Sequence, residues 1–192
     1  MKFSNKLLNK HLRLSEDYTY NYPLDYITKF NEDTYLQSKE CVKITLNFGF
    51  KKIKFEKKKM ILFFLILELI TGQKCVLTSS RKNLIFLKIK KGSVTGCKVV
   101  LRNVNLFEFL DTLLLALPRS ETFKGFFFNL KSRKKNHYST QINDFFIFYS
   151  LESEIASYIK HLDMSFSFNT ISDSEKLFLL SYLKMPLSFK SR

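Results

Sequence analysis

Histidines, cysteines, paired carboxylates and phosphate-cradling glycines are the residues from which a 192-residue chain would build chemistry, and here they are thinly spread. His11, His137 and His161 lie far apart, and none stands at a ligand spacing from a cysteine or a carboxylate. Neither a metal centre nor an imidazole acid–base pair is therefore expected. Cys41, Cys75 and Cys97 are odd in number and lack Cys-x-x-Cys spacing, so buried, reduced thiols are expected rather than a disulfide framework or a zinc site. Gly92-Ser93-Val94-Thr95-Gly96 carries the glycines of a phosphate loop, but no Lys-Ser/Thr pair follows the second glycine. The carboxylates are scattered, with no pairing suited to proton transfer. No catalytic site, cofactor or metal is expected, and the chain is read as a non-enzyme.

Fixed positive charge is what remains. Lys74, Arg81, Lys82, Lys88, Lys90, Lys91, Lys98 and Arg102 fall within residues 70–102, and no carboxylate lies among them. Nothing inside that stretch neutralises them, so they need water or an anionic partner. Nucleic acid is the first such partner to consider, because phosphate contacts by lysine and arginine dominate the affinity of such surfaces.

The whole chain has the same bias. Lysine and arginine number 32 against 17 acids, giving +15, yet 45% of the residues are hydrophobic and 16% aromatic. That combination describes a folded binder of polyanions rather than a disordered basic tail. An anionic lipid surface attracts the same residues, so a basic peripheral membrane protein is the alternative of another class. Insertion is not expected: the one continuous apolar run, residues 60–67, stops at Glu68, far short of the roughly 20 residues a spanning helix needs. With 21 Phe, no Trp, 5 Gly and 3 Pro, and with abundant Lys, Asn and Ile, the composition is that of an AT-rich genome, as many organellar genomes are. The basic segment 1–14 has the look of a transit peptide, but synthesis within the organelle, with the segment retained, explains it more simply. The location expected is the mitochondrion, with the plastid as alternative. Residues 1–20 are set aside as a basic extension, and residues 21–192 are read as one domain.

The elements that must position the cations follow from periodicity. A short amphipathic helix is expected over residues 24–30. Residues 43–50 alternate, with Ile44, Leu46, Phe48 and Phe50 on one face and Lys43, Thr45 and Asn47 on the other. A helix over 57–71 should stop at Gly72. Strands are expected over 75–78 and 96–102, joined by a long basic excursion with strand content around 84–89. Asn105 and Glu108 are read as the N-cap pair of a helix burying Leu106, Phe109, Leu110, Leu113, Leu114 and Leu117 and ended by Pro118. Residues 126–141 read as irregular, with a basic loop at 131–135. Residues 144–149 read as an aromatic strand, and Leu162, Met164, Phe166 and Phe168 as the buried face of another. Ser172 and Glu175 form the capping box of a last helix that closes before Pro186. Strands and helices mix without regular βαβ alternation, so the fold class is α+β: a two-layer domain, mostly antiparallel, with helices on one face of the sheet.

Four blocks add a resemblance. Lys43-Ile44-Thr45-Leu46-Asn47-Phe48-Gly49, the stretch from Gly72 through Gly96-Cys97-Lys98 to Arg102, Leu117-Pro118-Arg119 with Phe123-Lys124-Gly125, and His161-Leu162-Asp163-Met164 together resemble the universal L-five family of large-subunit ribosomal proteins. The similarity covers about residues 25–186. The resemblance implies a sheet turned toward 5S ribosomal RNA in the central protuberance. By position, the family's RNA-contacting asparagine, glutamine and arginine fall on Asn47, Gln73 and Arg102, with Lys74 and Lys98 beside them. It also implies that the excursion over residues 81–96 reaches peptidyl-site tRNA, through Arg81, Lys82, Lys88, Lys90 and Lys91. Neighbouring protuberance proteins, and a small-subunit head protein across the intersubunit bridge, are the other partners implied. Three positions depart from the family pattern: Val100 replaces a threonine, Ile85 and Phe86 replace small residues, and residues 131–137 replace a glycine-rich turn. A ribosome that has lost 5S RNA, in which large-subunit RNA and proteins hold the chain, is the alternative.

Overall fold

The computed structural model describes residues 13–30, 41–49, 57–83, 85–86, 89–120, 123, 125–126, 137–148, 151, 161–169 and 172–188. These residues form four helices and five strands: α1 (Arg13–Phe30), β1 (Cys41–Gly49), α2 (Lys57–Thr71), β2 (Val76–Ser79), β3 (Val94–Leu101), α3 (Asn103–Ala116), β4 (His137–Ile142), β5 (Leu162–Phe168) and α4 (Asp173–Tyr182). The strands form one antiparallel sheet in the order β2-β3-β1-β5-β4. This is the expected α+β class.

Alternation along each strand decides which side is buried. Ile44, Leu46 and Phe48 of β1 point to the same side as Cys97, Val99 and Leu101 of β3. Leu162, Met164, Phe166 and Phe168 of β5 and Tyr138 and Ile142 of β4 join them. On that side α2 packs on β3 and α3 on β1. α3 buries Leu106, Phe109, Leu110, Leu113 and Ala116, and Leu117 is buried in the 3-10 turn that carries Pro118. Leu114, expected in the core, is only half-buried. α2 ends where expected. Gly72 takes a left-handed φ of +62°, its N–H donates to the Glu68 carbonyl at 2.8 Å, and the Glu68 carboxylate accepts from the Cys75 N–H at 3.2 Å. Among the described residues no helix is long and apolar enough to cross a membrane.

Four local expectations are corrected. The first helix begins at Arg13, not at residue 24, and Pro23 lies inside it. Its buried line is Leu14, Tyr18, Tyr22 and Tyr26, and the tyrosines stack on each other and on Phe178 and Tyr182 of α4. α3 is not capped by Asn105: the chain leaves β3 extended at Arg102 and turns through Asn103 at a φ of +50°. Asparagine tolerates that region better than most residues. Residues 137–142 are strand β4 rather than irregular; the basic loop at 131–135 lies outside the described residues. Residues 144–148 are a turn rather than a strand. There the Asp144 carboxylate accepts from the Phe146 N–H at 3.1 Å and from the Ser120 hydroxyl at 2.7 Å, and the Phe148 N–H donates to the Phe145 carbonyl at 3.2 Å. A side-chain-closed turn of this kind competes with extended pairing. The cap of α4 is as expected, with the Ser172 hydroxyl accepting from the Glu175 N–H at 3.4 Å.

Candidate nucleic-acid interface

The side chains that do not enter the core form the opposite face of the sheet. Register places Gln141, Asp163, Asn47, Lys98 and Val76 in one row across all five strands. Ser139, Ser165, Thr45 and Val100 make a second row, and His137, Ser167 and Lys43 a third. The face is rich in amides and hydroxyls, which can both donate and accept. Several are already engaged: the Gln141 amide donates to the Asp163 carboxylate at 2.8 Å, and His137 Nδ1 lies 2.8 Å from the Ser167 hydroxyl. The Asn47 amide has no side-chain hydrogen bond to another described residue, and Lys98 stands directly beside it in register. Beside β4 and β5 lies a depression of about 840 Å³ lined from both sides of the sheet, by Asn47, Gln141 and Asp163 of the polar face and by Leu117, Ile142 and Met164 of the core side.

The sequence-derived candidates fall into two groups. Asn47 and Lys98 are neighbours on the face; Arg102 is exposed just beyond the end of β3, and Lys74 is exposed beside Gln73. Gln73 is held by the protein itself. Its Nε2 donates to the Val100 carbonyl at 3.2 Å, and its Oε1 accepts from the Asn105 Nδ2 at 3.4 Å. The glutamine thereby ties the end of α2 to β3 and α3, while its second N–H and remaining lone pair stay available. Sequence reasoning missed Ser139, Gln141 and His137, because β4 was not recognised. The signal was there: His-Tyr-Ser-Thr-Gln-Ile alternates, but its outward positions are polar and one inward position is threonine.

The second group sits at the opposite end of β3, roughly 25 Å from Arg102 for an eight-residue strand. Here β2 passes into β3 through residues 80–93. The Ser80 N–H donates to the Ser93 carbonyl and the Gly92 N–H to the Ser80 carbonyl, both at 2.9 Å. The Asn83 side chain accepts from the Lys91 N–H at 2.7 Å, and Gly92 has a φ of +83°. Ile89 is buried as an anchor. Arg81, Lys82, Lys90 and Lys91 are all exposed, and the turn between them presents Ile85 at 85% and Phe86 at 103% of full exposure. Lys88 lies outside the described residues. The strand content expected at 84–89 reduces to a single bridge at Ile89 among the described residues.

Comparison with known proteins gives the family of the chain. Residues 94–187 match the family model for the C-terminus of the ribosomal L-five proteins. The large ribosomal subunit protein uL5m of Reclinomonas americana is 35% identical over 179 residues, covering 92% of this chain and 98% of its own. The large ribosomal subunit protein uL5 of Ruminiclostridium cellulolyticum is 33% identical over 177 residues, with the same coverage. That of Wolbachia pipientis is 35% identical over 159 residues, 82% of this chain. All three are, by name, proteins of the large ribosomal subunit. This chain belongs to the uL5 family.

Proposed function

We propose that the chain works in a mitochondrial large ribosomal subunit, laying its polar sheet face on 5S RNA or on neighbouring ribosomal RNA of the central protuberance. The observation that carries this reading is the row Gln141–Asp163–Asn47–Lys98, in which an uncommitted amide stands beside an ammonium with no partner among the described residues. Amides match ribose hydroxyls and base edges, and lysine and arginine match phosphate. Asn47, Gln73, Lys74, Lys98 and Arg102 form the ribosomal-RNA contact. Arg81, Lys82, Lys88, Lys90 and Lys91 carry the basic loop toward peptidyl-site tRNA and the small-subunit head. Membership of the uL5 family supports the ribosomal setting. The similarity to the uL5m of Reclinomonas americana and the AT-biased composition favour a mitochondrion.

A second reading, in which proteins and large-subunit RNA hold the chain in a ribosome without 5S RNA, is favoured by Val76 and Val100, apolar residues on the same face. RNA crosslinking with sequencing, on gradient-purified organellar ribosomes, separates the two. Crosslinks from Asn47, Lys98 or Arg102 to a 5S RNA establish the first. Co-sedimentation with the large subunit and crosslinks to other RNA alone establish the second. Absence from ribosomal fractions overturns both.

A further inference from the structure

The helical side of the domain, away from the polar sheet face, differs in charge from the rest of this +15 chain. α1 buries one line of residues and exposes another. Tyr20, Leu24 and Ile27, at i, i+4 and i+7, run along its outer side, Leu24 at 64% exposure. Between α1 and the end of α4 lies a groove of about 460 Å³, lined in part by Asp17, Asn21, Leu24, Asp25, Tyr182 and Lys184. Lys184 sits 3.6 Å from the Asp17 carboxylate, whereas the Asp25 carboxylate pairs with no cation among the described residues. After burial, the charges of Asp25 and Asp17 are what raise the Tyr182 hydroxyl above its ordinary pKa, a sign of negative potential inside the groove.

We propose that this groove docks a short extended segment of another protein in which lysine or arginine alternates with apolar residues. Charge complementarity selects the occupant. An uncompensated carboxylate repels RNA phosphate and anionic lipid alike, and it attracts a cationic side chain. The exposed Leu24 and Tyr20 beside it offer apolar contact for the intervening residues. In an extended segment, side chains alternate with period two, so a cation can face Asp25 while its neighbour turns toward Leu24. The site lies on the helical side and is independent of the RNA contacts proposed for the sheet.

The test uses the full-length protein and a fluorescent Lys-Leu-Lys-Leu-Lys-Leu-Lys peptide, read by anisotropy at moderate salt. Saturable binding is expected, weakened about tenfold by Asp25→Lys or Leu24→Ser and unchanged by Arg102→Ala. Both substituted residues are exposed, and matching thermal melts confirm that the variants fold. No binding by the wild type, or equal binding by Asp25→Lys, overturns the proposal. So does a uridine oligonucleotide that competes for the groove and loses affinity through Leu24→Ser, because it assigns the groove to RNA. In assembled subunits, a photo-crosslinker in place of Tyr20 should join a lysine- or arginine-bearing protein segment. A crosslink to RNA, or none, counts against it.

Discussion

Lys176 is a charged side chain with no solvent exposure, and its surroundings make its loss and the loss of its partner unequal. Its ammonium lies 3.1 Å from the Asp173 carboxylate and 5.6 Å from the centre of the Tyr138 ring, and the Tyr138 hydroxyl donates to the same carboxylate at 3.1 Å. Asp173 is 64% exposed, so it remains hydrated if the lysine goes. The lysine, with no solvent exposure, is not rehydrated in the same way if Asp173 goes. Removing one partner of a buried pair costs up to about 3–5 kcal/mol, whereas an apolar replacement of similar volume is often close to neutral. Asp173→Ala should therefore shift the urea midpoint far more than Lys176→Met, and equal shifts would show that the buried ammonium has other compensation. The thiols give a second prediction at this scale. Burial raises Cys97 to about 12 and Cys75 to about 11, with the Cys75 thiol adding to the first effect and the Glu68 charge to the second. Between about pH 9 and 11 the unfolded chain releases these protons and the folded one keeps them. The folded state then binds more protons, and stability falls as pH rises. Cys97→Ala should flatten the alkaline arm of a stability–pH curve; an unchanged slope would assign that arm to other groups.

Two elements depend on a single small residue each. Gly96 lies where β3 is flanked by β1 and β2, and a Cβ there would run into the Phe48 carbonyl and come within 3.0 Å of the Thr78 hydroxyl. Backbone cannot rotate away as a side chain can, so Gly96→Ala must push β3 from β1. A loss on the order of 1–3 kcal/mol is expected, with faster hydrogen exchange at the paired amides of β1; unchanged exchange would mean that the strands slide without parting. Ser172→Ala removes the hydroxyl that accepts from the Glu175 N–H and should cost about 1 kcal/mol in a denaturant titration. The same elements explain what could be read in advance. β1 and β5 alternate without interruption, and β3 does so from Gly96 except at Val100, so their buried faces were legible from period two. α2 ends on a glycine in the left-handed region, the commonest helix stop, and it too was legible. α1 was half hidden because its core line is made of tyrosines and is crossed by Pro23. The turn at 144–148 was hidden because its aromatics mimic a strand while the Asp144 side chain closes the backbone. Within the candidate site, Asn47 and Lys98 were visible as outward strand positions. The engagement of Gln73 was not, because Asn105 and the Val100 carbonyl are brought to it only by the packing of α3 and β3.

At the scale of the whole molecule, charge and topology govern behaviour. The proposed RNA contact draws on the cations of the sheet face and of the 80–93 loop, so its affinity should fall steeply with salt. Arg102→Ala should reduce the salt slope by about 1 while weakening binding; a parallel line in the log–log plot would remove Arg102 from the phosphate contacts. The sheet order has a different consequence, for synthesis. β1 is the central strand, paired on one side with β3 and on the other with β5, and the Ser165 hydroxyl reaches across to the Thr45 carbonyl. The early strand therefore waits for a partner more than a hundred residues downstream, which at the usual elongation rates means on the order of ten seconds. During that interval a growing chain can pair β1 with β3 alone, and the other edge of β1 stays open, the kind of edge that pairs with strangers. A transcript truncated before Leu162 would yield aggregate rather than a smaller working domain, and whatever shields nascent chains in this compartment has to cover that one edge until the last sixth of the protein emerges.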